Sequence, residues 1–161
     1  MGVKGRHGSL DGGGLTIGIV ASRYNQKIVD ALVEGAIAVL EEHGATVDPV
    51  LSVPGSFEIP VAAQALADGG NVDAVICLGC VIKGETAHFE HIAEAVARGI
   101  LDVSLESGVP CVFGVLTTYT EEQARARIDK GREAAETAIE MANLLKVVRR
   151  EVADPPPAGR G

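Results

Sequence analysis

The chain has 161 residues and a formal net charge of −8, from 22 acidic and 14 basic side chains. This length suits one domain, and the lack of a strongly basic cluster argues against nucleic acid or an anionic membrane as a partner. The three cysteines lie inside apolar segments and do not form a disulfide framework, so we expect a reducing, cytoplasmic setting. No apolar run approaches the ~20 residues that span a bilayer, and the N-terminus lacks a signal-like segment.

Predicted strands and helices alternate along the chain. Residues 1–14 contain six glycines, which predicts a flexible arm, and the proline-rich end predicts a disordered tail over residues 151–161. Within the intervening domain, residues 15–150, four apolar runs are typical of strands buried on both faces: 15–21, 47–53, 74–82 and 110–116. Helical patterns follow at 26–43, after Ser56, and at 85–107, 121–128 and 130–149. This alternation predicts a parallel sheet with helices on both sides.

The first predicted helix, 26–43, has a wide apolar surface. One stripe runs along Ile28, Leu32, Gly35 and Val39, and a second runs along Val29, Val33, Ala36 and Leu40. Packing against a sheet needs only one stripe. The second favours association with other subunits, although a buried helix of a three-layer domain would have the same pattern.

Ligands of open parallel sheets bind beyond the carboxyl ends of the strands. Near such ends, Tyr24 can stack on a flat ring, and Ser56, Phe57 and Glu58 combine a hydroxyl, an aromatic face and a carboxylate. These three residues are typical of a ligand clamp, and Ser56 alone is equally typical of a helix cap. A serine hydrolase is disfavoured because the second glycine of G-x-S-x-G is missing.

A third strand end carries the most specific candidate, His88. The preceding Gly84, Glu85 and Thr86 lie where a helix begins, and backbone N–H groups there can bind a phosphate while an imidazole transfers protons. The alternative is a solvated surface histidine. His88 and His91 also have the spacing of metal ligands, with Glu85 as a third, but pairs at this spacing arise often by chance.

Other motifs carry less weight. Cys77 and Cys80 form a C-x-x-C, but strand residues three apart point to opposite faces, which disfavours zinc or redox use. No G-x-G-x-x-G follows a strand, so the sequence does not support a dinucleotide site. Arg127 is either a solvated side chain or a bidentate phosphate ligand.

Five ordered blocks of this sequence resemble the 6,7-dimethyl-8-ribityllumazine synthase family of riboflavin biosynthesis. The resemblance spans roughly residues 15–149. The blocks are Gly18-Ile-Val-Ala-Ser-Arg-Tyr-Asn25, Val53-Pro-Gly-Ser-Phe-Glu-Ile-Pro60, Gly79-Cys-Val-Ile-Lys-Gly-Glu-Thr-Ala-His88, Phe113-Gly-Val-Leu-Thr-Thr118 and Ala138-Ile-Glu-Met-Ala-Asn143.

The resemblance implies a three-layer α/β/α, flavodoxin-like domain whose N-terminal arm adds a strand to a neighbouring subunit. It implies an enzyme that needs no cofactor and no metal. This transferase condenses 5-amino-6-(D-ribitylamino)uracil with 3,4-dihydroxy-2-butanone 4-phosphate to 6,7-dimethyl-8-ribityllumazine. His88 would transfer protons, and the substrate-binding residues implied are Tyr24, Ser56, Phe57, Glu58, Cys80, Val81, Ile82, Glu85 and Thr86, with Phe113, Arg127 and Lys130 supplied by the neighbouring subunit.

Two positions depart from the family pattern. Tyr24 stands where the family has Phe or Trp, and the connection between Arg127 and Lys130 is shorter by about five residues. The resemblance implies that this connection lies near contacts between pentamers, and it is compatible with both a free pentamer and a sixty-subunit shell. Riboflavin synthase is a further partner that the resemblance suggests. The alternative function is a non-catalytic carrier or container of the same fold that binds a flavin or lumazine.

Overall fold

The computed structural model describes residues 4–155 and 157–158. In chain order the elements are β1 (Thr16–Ser22), α1 (Gln26–Glu42), β2 (Thr46–Val53), a 3-10 turn (Ser56–Glu58), α2 (Ile59–Asp68), β3 (Ala74–Ile82), α3 (His88–Ser107), β4 (Cys111–Thr118), α4 (Glu121–Arg125) and α5 (Lys130–Ala153). Each strand is followed by helical structure, as the alternation of apolar runs and amphipathic segments predicts.

The four strands form one parallel sheet in the order β2-β1-β3-β4. Helices α1 and α5 cover one face and pack on each other, while α2 and α3 cover the opposite face. The predicted parallel sheet with helices on both sides is therefore confirmed. Since β2 and β3 lie on either side of β1, the chain reverses its direction of winding between β1 and β3, and open sheets of this kind bind ligands at that point.

The core has two halves, one on each face of the sheet. Alternate residues of β3 enter them: Ile76 and Leu78 pack under α1 and α5, whereas Val75 and Cys77 pack under α2 and α3. Cys80 belongs to the same half as Leu78, so it faces away from Cys77, as predicted from the period of a strand. Burial on both faces explains why β3 reads as a continuous apolar run.

The wide apolar surface of α1 is buried in the hydrophobic core. Its buried residues are Ile28, Val29, Leu32, Ala36, Val39 and Leu40, which come from both predicted stripes. They face the sheet and α5, so the three-layer explanation accounts for the second stripe.

Several predicted boundaries were wrong by a few residues. The helix after β2 begins with a 3-10 turn, helix α3 begins at His88 rather than at residue 85, and β4 continues to Thr118. Helix α4 ends at Arg125 rather than at residue 128, and α5 continues to Ala153 rather than ending at residue 149. A capping box begins α4, because Thr120 Oγ1 accepts from Gln123 N–H at 3.1 Å and Gln123 Oε1 accepts from Thr120 N–H at 3.3 Å.

The described part of the N-terminal arm, residues 4–13, lies along α5 of its own chain. Asn143 Nδ2 donates to the carbonyls of Ser9 and Asp11, both at 2.8 Å, and Arg6 pairs with Glu151. No strand forms within residues 4–13. The expected arm and tail also include residues 1–3, 156 and 159–161, which lie outside the described residues. No helix in the described part of the chain combines the length and apolarity required to cross a membrane.

Candidate active site

A cleft of about 460 Å³ opens beyond the carboxyl ends of β1, β2 and β3. Its lining residues come from the segments that follow these three strands and from the first turn of α3: Tyr24, Asn25, Gly55, Ser56, Phe57, Glu58, Cys80, Val81, Ile82, His88 and Ile92. The cleft therefore lies where the winding of the sheet reverses, and it brings together eight of the residues singled out from the sequence.

The turn from β1 into α1 forms one wall of the cleft. Asn25 adopts a left-handed conformation, with φ 58° and ψ 48°, which Asn tolerates better than most residues. Its side-chain Nδ2 donates to the carbonyl of Cys80 at 3.0 Å and so ties the end of β1 to the end of β3. This turn leaves the Tyr24 side chain 73% exposed at the rim. A ligand ring can therefore contact Tyr24 without displacing core residues.

The 3-10 turn after β2 forms the facing wall. Glu58 Oε2 accepts from the backbone N–H of Gly55 at 3.0 Å, and Glu58 N–H donates to the carbonyl of Gly55 at 3.1 Å. These bonds hold the carboxylate at the cleft while Phe57 remains 60% exposed. Glu58 thus presents a second oxygen and free lone pairs to hydroxyl or amine donors.

Two buried hydroxyls lie beneath this turn. Ser22 Oγ and Ser56 Oγ are inaccessible to solvent and have no hydrogen-bond partner among the described residues. A Cβ at Gly79 would lie 2.7 Å from Ser56 Oγ and 2.9 Å from Ser22 Oγ, so the glycine at the third strand leaves the space that both hydroxyls occupy. Unpaired buried hydroxyls are unfavourable by about 1–3 kcal/mol each, so both serines lower the stability of this part of the domain.

The end of β3 offers backbone groups to the cleft. Pairing between β1 and β3 ends at Ala21 and Leu78, whereas pairing between β3 and β4 continues to Ile82 and Thr118. The backbone from Gly79 to Ile82 therefore extends past β1 on the side that faces the cleft. Its N–H and C=O groups on that side are suited to a planar ligand with donors and acceptors at its edge.

His88 is the first residue of α3 and its side chain is exposed at the cleft. Its backbone N–H donates to Thr86 Oγ1 at 3.3 Å, in the turn that precedes the helix, and Ala87 at the N-cap makes no side-chain cap bond. Glu85 and Thr86 are exposed on the preceding loop and do not line the cleft. All three residues are exposed, and only His88 belongs to the lining of the cleft.

Phe113, Arg127 and Lys130 lie elsewhere. Phe113 and Lys130 line a groove of about 580 Å³ between β4 and α5, and Arg127 and Lys130 line a second groove of about 440 Å³ at the end of β4. None of the three lines the cleft that contains His88. Conversely, no Lys or Arg is among the described residues that line this cleft. One chain thus carries the histidine and the candidate phosphate-binding cations at separate places.

The cysteines are not suited to nucleophilic chemistry. Burial, with a smaller effect of Glu121, raises the pKa of the Cys80 thiol to about 11, and burial raises the pKa of Cys77 and of Cys111. All three are free thiols. Among residues 4–155 and 157–158, no three His, Cys, Asp or Glu side chains are grouped so that they could hold a metal ion, and His88, His91 and Glu85 form no such group.

Sequence reasoning missed three lining residues, Asn25, Gly55 and Ile92. Asn25 had a recognisable signal, because it follows Tyr24 at a strand end and Asn is enriched in left-handed turns. Ile92 lies four residues after His88 and hence on the same face of α3, which the helical period alone could have indicated. Gly55 gave no comparable signal, since its role is the backbone bond with Glu58.

A comparison with protein families agrees with the cleft and with the sequence blocks around it. The family model described as 6,7-dimethyl-8-ribityllumazine synthase matches residues 14–146, which include every strand and all of the cleft. A match over so much of the domain establishes membership. The chain belongs to the 6,7-dimethyl-8-ribityllumazine synthase family, and it is a transferase with lumazine synthase activity in riboflavin biosynthesis.

Proposed function

We propose that the cleft binds 5-amino-6-(D-ribitylamino)uracil and that His88, with the loop before it, promotes its condensation with 3,4-dihydroxy-2-butanone 4-phosphate. The amine attacks the ketone, phosphate leaves, and ring closure gives 6,7-dimethyl-8-ribityllumazine with the release of one phosphate and two waters. These steps need proton transfers and a site for an anion, and both requirements correspond to groups at the cleft.

The pyrimidine is proposed to lie between the exposed rings and the end of β3. Tyr24 and Phe57 are exposed at opposite walls, and either ring can stack on a flat heterocycle. Backbone groups of Cys80, Val81 and Ile82 are suited to the edge of the uracil ring, because β3 continues past β1 there. Glu58 and the backbone of Ser56 are then the partners for the ribityl hydroxyls, since Glu58 keeps acceptor capacity beyond its bond to Gly55.

The phosphate is proposed to bind at the mouth, beside His88. The backbone N–H groups of Glu85 and Thr86 precede α3, and the helix start favours negative charge. An imidazole next to the departing phosphate can accept and return protons during imine formation and elimination. Holding two substrates together also accelerates the reaction, so His88 is one contribution among several.

The observation that carries the quaternary proposal is that, among the described residues of one chain, no Lys or Arg lines the cleft. A departing phosphate needs positive charge, while Arg127 and Lys130 line separate grooves beside β4 and α5. We propose that a neighbouring subunit supplies Phe113, Arg127 and Lys130 to each cleft. Exposed apolar side chains on α2 and α3 suit such an interface: Val61, Leu101 and Leu105 are 72%, 57% and 74% exposed.

The proposed assembly is a homopentamer, free or joined into a sixty-subunit shell, in the cytoplasm. Riboflavin synthase, which consumes the lumazine, is the proposed functional partner. A native mass measurement tests the assembly, because monomer, pentamer and shell differ widely in mass. A strict monomer would contradict a site shared between subunits.

Turnover of both substrates tests the role of His88. Purified protein should form fluorescent lumazine and release phosphate in equal amounts, faster than the spontaneous reaction. His88→Ala should lower kcat by on the order of 10²-fold while leaving activity above the spontaneous rate, because proximity is retained. An unchanged kcat would remove His88 from proton transfer. Tight lumazine binding without condensation by the native protein would instead support a carrier.

Complementation tests whether sites are shared. His88→Ala and Arg127→Ala proteins should each be impaired, and subunits mixed by dissociation and reassembly should regain activity, since some clefts receive an intact His88 and an intact Arg127. Arg127→Lys is the matched control, because it keeps the charge and loses the bidentate geometry. Mixed assemblies with no recovery would place both residues in the same subunit's site.

A further inference from the structure

Three side chains form a compact cluster next to the loop that precedes His88. Lys83 follows β3, Phe89 follows His88 on α3, and Tyr119 follows β4. The ring centroids of Phe89 and Tyr119 are 6.0 Å apart with the planes inclined by 45°, and Lys83 Nζ lies 5.3 Å from the Tyr119 centroid. Lys83 also pairs with Glu90 at 3.9 Å. One tyrosine thus contacts residues on both sides of the segment Gly84–His88.

The backbone on the β4 side of this cluster is well anchored. Lys83 N–H donates to the carbonyl of Thr118 at 2.9 Å, which extends the pairing of β3 and β4 by one residue. Tyr119 N–H donates to Gln123 Oε1 at 2.9 Å, and Gln123 belongs to the capping box of α4. The position of Tyr119 is therefore set by the sheet and by α4, independently of the loop.

The loop itself has weaker anchors. Residues 83–88 are all exposed. Within this described segment one side-chain hydrogen bond forms, in which Thr86 Oγ1 accepts from the His88 N–H at 3.3 Å. Phe89, in the first turn of α3, contacts Tyr119, which follows β4. An aromatic pair in tilted geometry is favourable, and a cation over the ring adds to it.

We propose that Tyr119 is a positioning residue for the phosphate end of the reaction. Its ring holds Phe89 and Lys83, and these hold the two ends of the segment that carries Glu85, Thr86 and His88. The inference rests on the proposed roles of those three residues. Within residues 4–155 and 157–158 the Tyr119 ring makes the contacts with Phe89 and Lys83, and its hydroxyl makes no hydrogen bond, so the aromatic ring carries the effect.

This arrangement predicts a selective defect. Without the ring, the loop samples conformations in which its amides and His88 are misaligned with the phosphate-bearing substrate. The uracil site remains intact, because Tyr24, Ser56 and Glu58 belong to segments after β1 and β2. A general loss of stability would instead affect both substrates alike.

The experiment compares Tyr119→Leu, Tyr119→Phe and Lys83→Gln in the assembled protein. Tyr119→Leu should raise KM for the butanone phosphate and lower kcat by roughly threefold to tenfold, the range expected from one aromatic pair. KM for the uracil substrate should change by less than about twofold. Tyr119→Phe should behave like the native protein, and Lys83→Gln should lie between the two.

Binding of inorganic phosphate, measured by calorimetry, gives a readout that does not depend on turnover. Its Kd should rise in Tyr119→Leu and stay constant in Tyr119→Phe. Val152→Ala, at a 77% exposed position near the end of α5, is the control for loss of an exposed apolar side chain. Equal defects in Tyr119→Leu and Tyr119→Phe would overturn the proposal, as would equal changes of KM for both substrates. Failure of the proposed function is distinguishable, because the native protein would then neither turn over nor respond to His88→Ala.

Discussion

Gly131, in the first turn of α5, allows the closest approach between α5 and α1. A Cβ at this position would lie 2.1 Å from the backbone oxygen of Leu32 and 2.8 Å from its carbonyl carbon. A carbon and a carbonyl oxygen in favourable contact are about 3.3 Å apart, so Gly131→Ala must move the start of α5 by roughly 1 Å. Backbone on the α1 side cannot yield as a flexible side chain would.

The expected loss of stability follows from this displacement. Ala134, Ala135 and Ala138 are buried in the same contact and would lose part of their packing. Overpacking of this kind is unfavourable by about 1–3 kcal/mol, while alanine gains at most about 1 kcal/mol in helix propensity. The net loss of about 1–2 kcal/mol should lower Tm by roughly 2–8 °C for a domain of this size.

Gly35→Ala is a matched control in the same interface. Its Cβ would lie 3.1 Å from Cγ of Arg132, a long exposed side chain that can move aside. Because Gly35 lies in the interior of α1, the gain in helix propensity applies in full, and the Tm should rise or stay constant. The two substitutions are chemically identical and are expected to differ in sign.

Thermal unfolding at one subunit concentration provides the comparison, because assembly itself contributes to the apparent stability. Turnover should also fall in Gly131→Ala. The displaced start of α5 would move Lys130, and with it the short connection to Arg127, and both residues are proposed to bind substrate. A Gly131→Ala protein as stable as Gly35→Ala would refute the reasoning, because α5 would then need no close approach to Leu32.

Two further predictions concern buried side chains below the cleft. The raised pKa of Cys80, about 11, means that the folded state binds protons more tightly than the unfolded state, so stability should be constant below about pH 8.5 and fall as pH rises toward 11. Cys80→Ser should flatten this decline in a series of melting curves, and an unchanged decline would assign it to other groups. Ser22→Ala should leave the free energy of unfolding unchanged or raise it by up to about 1 kcal/mol, because the hydroxyl has no partner among the described residues. A loss greater than about 1 kcal/mol in urea unfolding would mean that Ser22 donates a hydrogen bond in solution.

Local patterns were sufficient for the order of the elements. Strands β1 and β3 are buried along most of their length and therefore read as apolar runs, and the Thr120 box identifies the start of α4 from four residues. The opposite orientations of Cys77 and Cys80 follow from the period of a strand. These features depend on residues that are neighbours in the chain.

Local patterns were less reliable at the starts of helices. Residues 85–87 have the composition of a helix start, yet α3 begins at His88, after a turn in which Thr86 Oγ1 accepts from the His88 N–H. The segment after β2 contains a 3-10 turn because Glu58 bonds back to Gly55 before α2 begins. In both cases one side-chain to backbone bond decided among conformations that composition leaves nearly equal.

By itself the sequence determined the parallel α/β architecture, the family and the segments that carry the chemistry, because hydrophobic period and turn composition are properties of short stretches of chain. Only the tertiary structure decided which residues of those segments contact one another. It joined Asn25 to Cys80, brought the hydroxyls of Ser22 and Ser56 together around Gly79, and separated Arg127 from His88. Such contacts arise from the order and twist of the strands, which depend on packing between residues distant in sequence.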